Sequence, residues 1–180
     1  MSGDAPLPTL VALAAYLLFL IAHRLFELRV SSRHERALHA RGGHEVGRSH
    51  FPLFVLLHAA YPVSLAAEVL VLGTRPGLLW PLWVALLAVA QALRVAAQRT
   101  LGERWTVRIW VVPGLPPVNH GPYRWLRHPN YLAVTIELAA GSLLFGAWRV
   151  ALGASALNLM ALAIRIPLEE RALAESGSPR

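Results

Sequence analysis

The stretch PTLVALAAYLLFLIAHRLFEL, residues 8–28, decides how the rest of the chain is read: between Asp4 and Arg24 no Asp, Glu, Lys or Arg occurs. In hydrocarbon every backbone amide must be satisfied within its own segment, and about 20 residues of helix are needed to cross. Residues 8–28 are therefore read as a membrane span. Asp4 and no basic residue precede it, and no small-residue cleavage pattern follows, so it reads as a retained helix rather than a signal peptide.

Four further apolar blocks extend the pattern. Residues 51–72 contain one acid, Glu68, and residues 76–93 are uncharged and continue helically toward Gln98. From His128 to Trp148 the only charge is Glu137, and residues 150–164 carry none. The Gly146-Ala147-Trp148-Arg149 connection makes the last two blocks a helical hairpin. The fifth block gives only about 22 Å of helix, so it has to recruit its flanks or sit shallowly.

Composition agrees with this division. Of 180 residues, 56% are hydrophobic and 15% charged, against about 25% charged in ordinary soluble domains. The 17 basic residues are all arginine and exceed the 10 acids, for a net charge of +7. In a soluble chain that excess would suggest nucleic acid, but these arginines lie between apolar blocks, so no nucleic-acid partner is expected. Arg29, Arg33, Arg36, Arg41 and Arg48 follow the first span. Arg94, Arg99, Arg104, Arg108, Arg124 and Arg127 surround the connection after the third, and Arg165, Arg171 and Arg180 follow the fifth. Only Arg75 and Arg149 mark the opposite side.

Because cytoplasmic loops are enriched in arginine, five spans with an external N-terminus and a cytoplasmic C-terminus place all three clusters on one face. The expectation is an all-α integral membrane bundle of five transmembrane helices in a single domain. Residues 1–98 hold three N-terminal spans, 99–129 a cytoplasmic loop, and 130–180 the hairpin and a C-terminal helical segment. Without cysteine there is no disulfide, thiolate metal site or cysteine nucleophile. The lysine-free, Ala- and Leu-rich usage resembles that of a high-GC bacterium, and hence points to a bacterial cell membrane.

The chemistry is expected at the cytoplasmic face. Residues 100–129 are rich in Trp, Pro and Gly, which shapes a loop rather than a solvated linker. Pro129 suits a helix start, with His128 extended before it, so that His128, Arg127 and the helix end can meet an anion. The same two residues also suit lipid headgroups. Arg165 and Glu169 lie four apart and can pair on one helical face, with Pro167 disturbing the turn between them. An arginine–histidine wall facing Glu169 and Glu170 fits a small zwitterionic or cationic ligand with hydroxyls. Within the spans, Arg24 and Glu27 can pair and snorkel. His50 and His58 have no convergent third ligand, so no metal site is expected. Glu68 reads as a cap or headgroup contact at the outer end. Glu137 shares a helical face with Asn130, two turns into the bilayer.

Gly121-Pro122-Tyr123-Arg124-Trp125-Leu126-Arg127-His128-Pro129-Asn130-Tyr131, followed by Arg165-Ile166 and Glu169-Glu170-Arg171-Ala172-Leu173, resembles the C-terminal half of the isoprenylcysteine carboxyl methyltransferase family. These are integral membrane enzymes that use S-adenosylmethionine. The arginine-histidine-proline element alone also resembles membrane sterol reductases that use NADPH. Arg24-Leu25-Phe26-Glu27-Leu28, Gly42-Gly43-His44-Glu45, His50-Phe51-Pro52, His58 and Leu101-Gly102-Glu103-Arg104-Trp105-Thr106 resemble a bacterial branch associated with type III polyketide synthases, whose members O-methylate alkylpyrones or alkylresorcinols. Ala133 departs from the pattern, since many members have glycine there.

The resemblance implies that Val118, Gly121, Tyr123, Arg127, His128, Pro129 and Tyr131 form one wall of a cytosolic S-adenosylmethionine site, with Glu169 and Glu170 opposite. Arg127 and His128 are assigned to the cofactor carboxylate and one glutamate to the ribose hydroxyls. Arg24, Glu27, His50 and His58 are assigned to a lipid-like substrate, and Glu137, Arg165 and Glu169 to catalysis. A phenolic acceptor gains from a base, whether Glu137 or Glu169, whereas a carboxylate is already ionised at pH 7. Three readings follow: a lipid-hydroxyl methyltransferase with a functional link to a type III polyketide synthase, carboxyl methylation of a prenylated cysteine, and a non-catalytic membrane scaffold.

Overall fold

The computed structural model describes residues 5–177, so Asp4 and Arg180 lie outside the described residues. The chain is mainly helical: α1 (Leu7–Ala40), α2 (Phe51–Leu72), α3 (Trp80–Leu101), α4 (Pro129–Leu144) and α5 (Trp148–Gly177). Two three-residue strands, β1 (His44–Val46) and β2 (Ile109–Val111), pair antiparallel with Glu45 opposite Trp110. They join the segment after α1 to the segment after α3, and Ile109 and Val111 pack with Ala172 of α5.

Among the described residues four helices, α1, α2, α3 and α5, are long and apolar enough to cross a membrane. The sequence predicts five spans, the fifth built on a short apolar block. That block does recruit its polar C-terminal flank, through Pro167, into the 30-residue α5, and the short helix is α4 at 16 residues. The reason is packing. The helix α4 lies between α3 and α5 and buries Ala133, Val134, Glu137, Leu138, Ala140, Gly141 and Ser142, so it needs no full-length apolar face of its own. By contrast, α1 continues well past its apolar half, carrying Arg29, Arg33 and Arg36 out to Ala40.

Tight junctions hold α4 in place. A Cβ on Gly141 would overlap the Tyr16 hydroxyl and approach that of Tyr61 to 2.7 Å, so α1 and α2 close on α4 where it has no side chain. The hairpin turns at Gly146, whose φ of 70° suits glycine. Glu68 of α2 caps α5, accepting from the backbone N–H of Val150 at 2.8 Å and of Arg149 at 3.3 Å. The apolar core of Leu13, Leu57, Tyr61, Leu65, Val69, Leu138 and Phe145 occupies the half of the bundle nearer this cap. The polar groups gather in the other half.

Candidate active site

Polar side chains from α1, α3 and α4 converge inside the bundle. Arg94, which the arginine count had placed with a cytoplasmic connection, is instead wholly buried in α3. It pairs with Glu137, and its Nη1 lies 3.7 Å from Glu27 Oε1 and 3.3 Å from His23 Nδ1. Arg24 Nη1 donates to Glu27 Oε2 at 2.7 Å, and its Nη2 stands 3.6 Å from Glu137 Oε2. Gln91 donates to Glu137 at 3.0 Å and Gln98 to Glu27 at 2.8 Å. Two guanidiniums thus balance two carboxylates, which a low-dielectric interior requires. Arg24 and Glu27 do pair, but as part of this interior cluster.

The end of the bundle at the start of α4 carries a second cluster. A turn at Gly121–Arg124 leads to His128, whose backbone (φ −130°, ψ 63°) is non-helical but not the extended form the sequence predicts, and which is followed by the first residue of α4, Pro129. The His128 ring stacks on Tyr131 at 5.3 Å, and its Nε2 lies 3.2 Å from Glu170 Oε1. Arg127 is largely exposed, 3.7 Å from the same carboxylate. Arg165 and Glu169 do not pair directly. Tyr131 stands between them, its hydroxyl donating to Glu169 and accepting from Arg165 Nε at 2.6 Å. Arg165 is further held by Val107 O at 2.8 Å and lies over the Phe54 ring at 5.0 Å. Burial, and then the Glu169 carboxylate, push the Tyr123 phenol pKa upward, so it remains a donor at neutral pH.

One cavity of about 1040 Å³ joins the two clusters. Val118, Tyr123, Arg127, His128, Tyr131, Glu169 and Glu170 line it at the end where α4 starts, with Arg165 beside them. Arg24, Glu27, His58 and Glu137 line its interior. Three of the residues assigned from the sequence are not part of its wall. Gly121 turns against Thr100, Pro129 is buried as the first residue of α4, and His50 stacks edge-on with Phe54. The rim between α1 and α2 is apolar: Ile21, Leu25, Val55 and Val63 line the cavity and are also exposed on the surface of the bundle.

Arg94, Asn158 and Phe54 escaped the sequence reading. Arg94 left a signal, since Gln91, Arg94 and Gln98 form one stripe of a helix expected to run that far. Asn158 left a similar one, two turns before Arg165 on the same face. Phe54 left none among its apolar neighbours.

Residues 83–175 match the profile of the isoprenylcysteine carboxyl methyltransferase (ICMT) family. The chain belongs to this family of membrane methyltransferases. It is 36% identical to the uncharacterized protein YpbQ of Bacillus subtilis over 87% of this chain and 93% of that protein. It is 31% identical to an uncharacterized protein of Haemophilus influenzae over 86% of this chain and 90% of that one. No solved structure matches the chain.

The family generally uses S-adenosylmethionine, and the end of the cavity at the start of α4 fits such a molecule. Its ammonium, hydroxyls and amine are donors, and the wall supplies the Glu169 and Glu170 carboxylates together with Asn130 Oδ1, which is buried without a partner.

Proposed function

We propose that the protein is an S-adenosylmethionine-dependent O-methyltransferase acting on a lipophilic acceptor, the ring hydroxyl of an alkylpyrone or alkylresorcinol, and linked in function to a type III polyketide synthase. The observation that carries this reading is the single cavity, which is polar at Glu169 and apolar where it opens between α1 and α2. A molecule with one polar ring and a long tail matches both ends, the tail entering from the bilayer.

Arg127 and His128 would hold the cofactor carboxylate, and Glu170 with Asn130 its donors. When bound, S-adenosylmethionine would supply an electrophilic methyl group for bonding to the acceptor oxygen, its sulfur keeping the electron pair. Val118 and Tyr123 cover the reacting end and exclude water, so that positioning supplies much of the acceleration. Glu169 takes the proton from the acceptor hydroxyl, and Arg165, fixed by Tyr131 and Val107, stabilises the oxyanion as it forms. Glu137 is not free for that task, because Arg94, Arg24 and Gln91 occupy its oxygens. Its part is to hold the cavity wall.

The bundle sits in a bacterial cell membrane with the N-terminus outside and the C-terminus cytoplasmic, α4 crossing as a fifth, short helix shielded by its neighbours. Alkaline phosphatase fused after residue 177 will be inactive in this orientation and active in the opposite one. The reaction is tested with labelled S-adenosylmethionine and purified protein in lipid, offered an alkylresorcinol, an alkylpyrone and a farnesylcysteine derivative. Label on a ring hydroxyl supports the reading. Label on farnesylcysteine alone transfers it to prenylcysteine carboxyl methylation, and cofactor binding without any transfer favours a non-catalytic scaffold.

A further inference from the structure

Deeper than the cofactor end, the cavity wall carries two hydrogen-bond acceptors that no donor among the described residues satisfies. The first is Asn158 Oδ1. Asn158 is completely buried in α5, and its Nδ2 donates to Thr135 Oγ1 at 3.0 Å. The Thr135 hydroxyl hydrogen is itself committed to Tyr131 O at 2.8 Å. The amide orientation is thereby set, and Oδ1 remains without a donor. The second is His58 Nε2. Its ring partner Nδ1 lies 2.8 Å from the Phe54 carbonyl, which can only accept, so in the neutral ring Nδ1 holds the hydrogen and Nε2 presents a lone pair. That Nε2 is likewise buried and unpartnered.

Both residues line the cavity, and the helices set their depth. Phe54 lies beside Arg165; four residues further along α2 put His58 about 6 Å deeper. Seven residues back along the antiparallel α5 put Asn158 about 10 Å deeper than Arg165. A buried acceptor is costly to leave unpaired, and two of them around one space select a ligand that brings hydrogens. A thioether, an ester or an alkyl tail cannot supply them.

We propose that His58 Nε2 and Asn158 Oδ1 form a hydroxyl-recognition subsite that shares the one O–H hydrogen of the ring hydroxyl that does not react, so that the preferred acceptor is a dihydroxylated aromatic lipid. This rests on the reading of the cavity as the site of a lipophilic acceptor, and it narrows that reading to the resorcinol type.

The test is equilibrium binding, without turnover, to protein in phospholipid nanodiscs saturated with S-adenosylhomocysteine. The probes are a 5-alkylresorcinol, its monomethyl ether and its dimethyl ether, all of one tail length. Affinity is expected to fall about tenfold from the resorcinol to its monomethyl ether, which keeps one hydroxyl for Glu169 and loses the second, and that gap to shrink to within about twofold when Asn158→Leu and His58→Phe are combined. The wild-type series decides the matter even where a variant fails to fold. Equal affinity for all three probes, with methyl transfer to a lipid intact, overturns the subsite and leaves the methyltransferase reading standing. Variants that weaken S-adenosylmethionine binding and keep the resorcinol series unchanged assign the acceptors to the cofactor and also overturn it. Absence of both lipid binding and methyl transfer removes the reading itself.

Discussion

Arg94 of α3 and Glu137 of α4 form an ion pair with both side chains almost entirely shielded, and each also contacts the Arg24–Glu27 pair of α1. Three helices are therefore tied together by charges rather than by apolar packing alone. A buried pair of this kind contributes little net attraction beyond its desolvation cost, yet removing one partner leaves the other charge unanswered.

Arg94→Leu should lower stability by about 3–5 kcal/mol. The double variant Arg94→Leu with Glu137→Leu should recover a large part of it. Thermal unfolding in detergent, followed by tryptophan fluorescence, measures both. A double variant no better than the single one would mean that Arg94 stabilises the bundle by contacts other than Glu137.

Glu68 tests a different structural role. Its carboxylate caps the first turn of α5, far from the cavity, so Glu68→Ala should cost about 1 kcal/mol and leave S-adenosylmethionine affinity unchanged. Calorimetric titration of the cofactor beside an unfolding curve separates the two effects.

Gly141→Ala should be destabilising by about 1–3 kcal/mol, because the added methyl collides with the Tyr16 and Tyr61 hydroxyls. Gly141→Ala combined with Tyr16→Phe removes the nearer obstacle and should regain part of the loss in the same unfolding assay.

Glu169→Gln should depress kcat on an alkylresorcinol about 100-fold or more, since the phenol then lacks its proton acceptor. An acidic hydroxypyrone, ionised without help, should lose much less. Comparing kcat for the two substrates with one enzyme preparation checks this, and equal losses would assign Glu169 to binding.

Arg165→Lys keeps the charge but not the planar fork that reaches Tyr131 and Val107 together. Methyl transfer should fall at least about tenfold while the unfolding temperature changes little. Full activity in this variant would remove the oriented guanidinium from the mechanism.

Much of this architecture was legible before any coordinates. Apolar block length is a direct consequence of hydrocarbon thickness, and His128-Pro129 marks a helix start because proline lacks the N–H that a first turn leaves unused. Glu68 was readable as a cap or a headgroup contact from its place near the end of its block, and packing against α5 decided for the cap. The spacing of Arg165 and Glu169 suggested contact, but not that Tyr131 from another helix stands between them. Chain-local periodicity describes one helix at a time, and that junction belongs to two.

The long apolar helices, the motifs around His128 and Glu169 and the family were thus written in local sequence, because bilayer thickness, turn chemistry and motif spacing act over short stretches of chain. The burial of Arg94, the shortness of α4 and the joining of Arg24, His58, Asn158 and Glu169 along one cavity arose only when the helices packed. Each depends on which faces meet: a guanidinium is a loop charge or an interior counter-ion according to whether a carboxylate 43 residues away reaches it.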